Sequence, residues 1–328
     1  MASPVRLHSS KVSAPASLQQ LPPIHFILLH GFLSHGNSFL SLAQQLQKQC
    51  AAELPGQRVE AFTIDCRNHG RSPHTLTHRL DELVLDLQAW LKHESYDSAH
   101  SAAPPTVVAV GHSMGALTWT KYLMDQQQQQ PKRQHDAERR AQVAIAGLVS
   151  LDMPPLTKRL LPPSLEAELH EYIHLMKSVN LSAIKDMRSA EVEFVRCGIE
   201  DKRVRGFFTT NLNIVRTGSR ANPRVSWRCN IPVLEESLRQ RSVFLPDAFP
   251  QLCARCRIEV PVLSILGGAS PVGGSNKYRG LWPNCATVVE EHVLPNAGHN
   301  LFYDDVEGTV RLVVGFARRL GIQHGPQV

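Results

Sequence analysis

Apolar positions along the chain follow two rhythms. Short segments at 24–29 (IHFILL), 59–64, 106–110 (TVVAV), 143–151, 260–267 and 286–294, most of them continuously apolar, predict strands. Between them, apolar residues recur every three to four positions. Residues 38–49 bring Phe39, Leu42, Ala43 and Leu46 to one helical face, and 80–91 do the same with Leu80, Leu83, Val84, Leu87 and Leu91. Residues 116–124 and 310–320 also read as helices. Continuously apolar strands alternating with amphipathic helices predict an α/β fold: a mostly parallel sheet with helices on both faces. The alternation breaks once. Residues 154–260 read as mostly helical, at 165–176, 183–196 and 204–214, and are expected to form an inserted cap. The expected organisation is a tail at 1–23, a sheet domain built from 24–153 and 261–328, and the cap at 154–260. A length of 328 residues fits that division, because a single core stops growing at roughly 250–300 residues.

Composition narrows the class. With 42% hydrophobic and 20% charged residues the chain can bury a core, and no apolar run nears the roughly 18–20 residues of a membrane span. The net charge of +6 is uneven: +3 over 1–52, −2 over 53–153, +5 over 154–260 and zero over 261–328. Basic and acidic residues alternate within the cap and aromatic content is only 6%, so no nucleic-acid footprint is present. The seven cysteines are odd in number and irregularly spaced, and no secretory signal precedes them, which points to reduced thiols inside the cell. Cys253 and Cys256 form a lone CxxC, which without a second pair predicts no metal site. Residues 1–23 are rich in Ser, Ala and Pro and lack acids, as in a mitochondrial address peptide or a disordered tail. The glutamine run at 126–130, continuing as polar sequence to 142, reads as a surface loop or a helix extension.

The chemistry centres on Gly111-His112-Ser113-Met114-Gly115, which follows an apolar strand and opens a helix. In that context the pattern predicts a sharp strained turn that lifts the Ser113 hydroxyl clear of the sheet as a nucleophile. A serine hydroxyl needs a base. His299, in a Gly-His turn after the last strand, is the candidate. A carboxylate should orient that imidazole. The loop after the fifth strand, Gly267-Gly268-Ala269-Ser270-Pro271-Val272-Gly273-Gly274, has no acid. Asp152, at the end of the fourth strand, takes the role instead. It follows Ser113 by 39 residues, and setting aside the 17 polar residues at 126–142 leaves 22, enough for one helix and one strand. Asp152 could alternatively cap a helix, and Asp247, Asp304 and Asp305 are weaker candidates for the acid. The oxyanion of an acyl-transfer intermediate would be met by the backbone N–H groups of Met114 and Phe32. Phe32, Leu33 and His112 are the expected substrate contacts.

The segments Leu29-His30-Gly31-Phe32, Asp65-Cys66-Arg67-Asn68-His69-Gly70-Arg71-Ser72, Gly111–Gly115, Leu151-Asp152-Met153-Pro154, Trp227-Arg228-Cys229-Asn230 and Asn296-Ala297-Gly298-His299 together resemble the α/β-hydrolase superfamily, in its branch of small acyl esterases. The resemblance covers roughly residues 24–320 and implies an α/β-hydrolase fold and ester or thioester hydrolysis without a cofactor or metal. It also implies a mitochondrial setting, as for the eukaryotic member of that branch. The expected function is therefore hydrolysis of a small or medium acyl ester or thioester by Ser113, His299 and Asp152. A non-catalytic binding protein and a carbon–carbon bond hydrolase are the alternatives. Leu160, Leu161, Leu165, Leu169, Ile173, Met176 and Phe194 of the cap are expected to close an apolar acyl pocket or to pack the cap, and the cap's positive charge suggests acidic acyl donors such as acyl-CoA.

Overall fold

The structure is a computed structural model that describes residues 3–13, 23–93, 105–129, 143–216 and 223–323. Seven strands form the central sheet: β1 (Ser9–Ser13), β2 (Ile24–Leu29), β3 (Val59–Ile64), β4 (Thr106–His112), β5 (Ile145–Leu151), β8 (Val262–Gly267) and β9 (Val289–Leu294), with β6 and β7 belonging to the cap. Their order is β1-β3-β2-β4-β5-β8-β9, and every pairing is parallel except β1 with β3. The central strands β2 and β4 are buried almost throughout, which explains their continuous apolar runs.

Two apolar layers sandwich the sheet. One face is covered by α1 (Leu40–Glu53) and the C-terminal helix (Val306–Gln323), through residues such as Leu42, Leu46, Val313 and Phe316. The other is covered by α2 (Leu80–His93), α3 (Met114–Gln129) and the cap. Parallel strands place their carboxyl ends on one edge, and the loops that leave this edge hold the candidate chemistry. Residues 126–129 of the glutamine run continue α3, whereas 130–142 lie outside the described residues.

Two elements depart from the sequence reading. Part of the segment expected as a tail is strand: Ser9–Ser13 adds to the edge of β3, pairing Ser9 with Ile64 and Ser13 with Glu60. The Val5 amide donates to Asp86 Oδ1 (2.7 Å) and the His8 amide to Ser72 Oγ (2.8 Å). An edge strand with charged and hydroxyl side chains has no apolar rhythm to betray it. Residues 14–22 lie outside the described residues.

The cap is also less helical than expected. The helix predicted at 204–214 is observed as Lys202–Thr210, and its last residues instead form β6 (Leu212–Val215), antiparallel to β7 (Arg224–Trp227). The helix predicted from 183 begins at Met187. Asp186 stops it there by accepting the Ser189 amide in a capping box. Helices at Pro163–Ser178 and Ile231–Arg239 complete the larger part of the cap. No described helix is long and apolar enough to cross a membrane.

Candidate active site

β4 turns directly into α3 at Ser113, whose φ of 51° lies in the left-handed region. A non-glycine residue holds that conformation only when its surroundings over-determine it. Here the Ser113 carbonyl accepts the amides of Ala116 (3.0 Å) and Leu117 (3.2 Å). Close packing fixes the turn from the other side. A Cβ at Gly115 would come within 2.1 Å of the Leu29 carbonyl oxygen, so only glycine lets the helix start pass this close to β2. A Cβ at Gly31 would stand 2.6 Å from His112 Nδ1 and 3.1 Å from Ser113 Cβ.

β5 lies beside β4 with Leu151 opposite His112, so Asp152 leaves the sheet next to Ser113. Asp152 is fully buried and has a φ of 48°. Its Oδ2 accepts the His299 Nδ1–H at 2.7 Å, and its Oδ1 accepts the Gly267 amide (2.8 Å) and the Ser270 hydroxyl (3.0 Å). Burial raises the carboxyl's pKa, and these three donors oppose the shift. Ser270 is itself held, since Oγ accepts the amides of Val272 (3.1 Å) and Gly273 (2.7 Å). The acid-free loop after β8 therefore supplies the donors for an acid carried in from β5. With Nδ1 donating to Asp152, Nε2 of His299 is left as the basic nitrogen.

The other acid candidates lie elsewhere. Asp247 accepts the Arg159 amide (3.0 Å), Asp304 accepts the Gly298 amide (2.8 Å), and Asp305 accepts the Gly308 amide (2.8 Å). His112, expected as a substrate contact, packs against His299. Its Nε2–H donates to the His299 carbonyl at 2.9 Å, and the two rings are 4.7 Å apart.

A narrow cleft is lined by Phe32, Ser113, Met114, Leu117, Leu165, Leu169, Leu238, Val243 and Phe244. Of the cap residues expected here, Leu165 and Leu169 line it. Leu161, Ile173, Met176 and Phe194 pack within the apolar core, and Leu160 packs against it. Leu33 is fully buried and outside the lining, with its amide on His69 Nε2 (3.2 Å). Four lining residues are absent from the sequence reading: Leu117 on α3, Leu238 on the helix Ile231–Arg239, and Val243 and Phe244 from the segment after it. They carry no motif that could have marked them.

The loop after β3 buttresses the site. Asp65 accepts the amides of Gly36 (2.7 Å) and Arg71 (2.8 Å), and Arg67 is buried with both Asp86 oxygens (2.6 and 2.7 Å). Asn230 of the Trp227–Asn230 segment donates to the Asn68 carbonyl and to its side chain (2.9 and 3.0 Å). Cys253 ends a short helix, all seven cysteines are free, and no cluster among the described residues could hold a metal ion.

This arrangement matches known proteins. The sequence signature of the Alpha/beta hydrolase family covers residues 26–312. The chain belongs to the alpha/beta hydrolase family. Within it, the chain is 26% identical over 312 residues to the sn-1-specific diacylglycerol lipase ABHD11 of Mus musculus, covering 90% of this chain and 81% of that one. The Danio rerio ABHD11 is 25% identical over 296 residues, 88% of this chain and 77% of its own. Among solved structures, a marine microorganism esterase superposes with a TM-score of 0.69 at 21% identity, covering 95% of this chain and 99% of that one. The peroxisomal alpha-beta-hydrolase Lpx1 of Saccharomyces cerevisiae superposes at 0.63 and 13% identity, covering 100% and 94%. This alpha/beta hydrolase thus shares its fold with these solved structures and is similar in sequence to proteins named diacylglycerol lipases.

Proposed function

We propose that the protein is a serine hydrolase that cleaves a small or medium acyl ester or thioester through an acyl-enzyme. The observation that carries this reading is the buried Asp152–His299 pair at 2.7 Å, one strand over from the strained Ser113 turn. In the proposed reaction Ser113 Oγ attacks the acyl carbon as its proton passes to His299 Nε2. The oxyanion meets the N–H groups of Phe32 and Met114, each worth about 3–4 kcal/mol of barrier. Collapse breaks the bond to the leaving alcohol or thiol, which takes the proton from His299. Water then attacks the acyl-enzyme by the same steps and frees Ser113.

The pocket supports an apolar acyl group. Its lining carries no charged side chain, and Arg241, two residues from Val243, is held by both oxygens of Glu166 (2.7 Å each). Other cap cations are likewise paired, Lys177 with Glu235 and Arg205 with Glu191. Fit to the pocket, more than attraction to the cap's charge, is therefore the proposed basis of selection. The diacylglycerol lipase relatives make a glycerolipid ester a reasonable candidate.

A fluorophosphonate probe followed by peptide mapping tests the reading, alongside hydrolysis of p-nitrophenyl esters of graded chain length. Labelling at Ser113, its loss in Ser113→Ala, and loss of turnover in the same variant are expected. An unlabelled Ser113 in folded protein, or a Ser113→Ala variant with wild-type turnover, would overturn it.

A further inference from the structure

Two buried histidines grip the peptides on either side of Phe32. His30 Nδ1–H donates to the Gly31 carbonyl at 2.8 Å, and its Nε2 accepts the Cys66 amide at 3.0 Å. The Gly31 carbonyl and the Phe32 N–H are opposite ends of one planar peptide unit, so fixing the carbonyl fixes the direction of the N–H. His69 treats the next peptide in the same way. Its Nδ1–H donates to the Arg67 carbonyl at 2.9 Å, which leaves Nε2 as an acceptor for the Leu33 N–H at 3.2 Å. Its ring stands edge-on to His30 and Phe32, with centroids 5.0 and 6.2 Å away.

That second grip falls where the turn is strained. Leu33 has a φ of 58°, a conformation a leucine leaves unless something holds it. Rotation of Leu33 back to negative φ would turn the Phe32–Leu33 peptide and move Phe32 with it. The acceptor must be a neutral imidazole, and burial beside His30 and His78 holds the His69 pKa well below its ordinary range. The ring itself cannot drift, because the residues around it are anchored. Arg67 is locked to Asp86, and Asn68 is bonded to Thr75 (2.7 Å to the Thr75 amide) and to Asn230. The cap meets the following peptide, Leu33–Ser34, with the Cys229 thiol 3.5 Å from the Leu33 carbonyl.

We infer that His69 is a positioning residue for the oxyanion site: by accepting the Leu33 N–H and standing against the Phe32 ring, it holds the turn in the form that presents the Phe32 N–H to the pocket. The inference rests on the reading of Ser113 as nucleophile and of Phe32 as oxyanion donor. It gives the Asp65–Ser72 loop, which touches no substrate atom in the proposed reaction, a part in catalysis through Phe32.

The test compares full-length wild type, His69→Leu, His69→Gln and Ser113→Ala. The readouts are kcat per folded protein and KM on a p-nitrophenyl ester, and inhibition by a trifluoromethyl ketone, whose adduct places an oxyanion in the same position. Removal of one oxyanion donor costs about 10²–10³ in kcat, so His69→Leu should lose on the order of 100-fold with KM nearly unchanged. The trifluoromethyl ketone should weaken by a similar factor. His69→Gln, whose amide oxygen can accept the Leu33 N–H, should recover at least about tenfold of both. Unchanged kcat and inhibition in His69→Leu, even with a lowered melting temperature, would reduce His69 to a packing role and overturn the inference. If that variant does not fold, His69→Asn, too short to reach Leu33, is measured instead, and unchanged values there overturn it equally. Ser113→Ala separates the two claims. If it is inactive while the His69 variants behave as wild type, only this inference fails; if it keeps the wild-type rate, the nucleophile reading fails and takes this inference with it.

Discussion

The Asp152 carboxyl is buried where water cannot reach it, and three donors on two other loops replace the lost hydration. Their contributions are unequal. The His299 bond sets the tautomer of the base, whereas Gly267 and Ser270 only hold the carboxylate in place. Asp152→Asn should therefore lower kcat by roughly 10³–10⁴-fold on a p-nitrophenyl ester with the fold intact, because the amide can stabilise the wrong imidazole tautomer. Ser270→Ala removes one of three donors and should cost only about tenfold, in the range of a single hydrogen bond to a charged group. Steady-state kinetics on both variants checks the ranking. A Ser270→Ala loss as large as that of Asp152→Asn would contradict it.

At the scale of elements, the loop after β3 ties together α2, the N-terminal strand and the cap. Its anchor is the Arg67–Asp86 pair, with both side chains almost fully buried and Glu82 adding a contact at 3.1 Å. Breaking a buried pair leaves an uncompensated charge, so Asp86→Asn should destabilise the protein by roughly 3–5 kcal/mol in urea unfolding. Removal of residues 1–13 should also lower the melting temperature, since it strips β1 from β3 and the Val5 amide from Asp86. An unchanged melting temperature would show that the edge strand adds nothing. In the cap, Leu169 faces the pocket beside Leu165. Leu169→Trp should fill that space and shift preference among p-nitrophenyl esters toward the shortest acyl chains, read as the ratio of kcat/KM for acetate over octanoate.

Over the whole molecule, histidines crowd the carboxyl edge of the sheet in neutral form. Burial lowers His30 to about 4 and His78 to about 3, and His25 on β2 falls to about 4. The unfolded chain would protonate each of them near 6.5, so it takes up protons that the folded state refuses. Their stabilising contribution is complete above about 6.5 and is lost as pH falls from there toward about 4. Urea midpoints should therefore drop steadily between pH 7 and pH 4.5, before most carboxylates titrate. A flat profile over that range would mean that the rings accept protons without unfolding.

The sequence by itself determined the strand–helix alternation and the turn at Ser113, because each is a local pattern with a mechanical reason. An apolar run buried on both faces, a glycine that lets two backbones touch and a strained elbow all leave their mark within a few residues. The tail and the cap hairpin were not legible. β1 gains its place from backbone hydrogen bonds to β3, and Leu212–Val215 becomes strand only because Arg224–Trp227 is there to pair with it. Only the tertiary structure decided what the motifs do to one another. It set Ser270 from the acid-free loop against Asp152, bonded His112 to the His299 carbonyl, drew Val243 and Phe244 into the pocket wall, and brought His69 to Leu33 across 36 residues. These are contacts between segments far apart in the chain, and spacing along a sequence can bring a strand end to a sheet edge without telling which side chains of distant loops meet there.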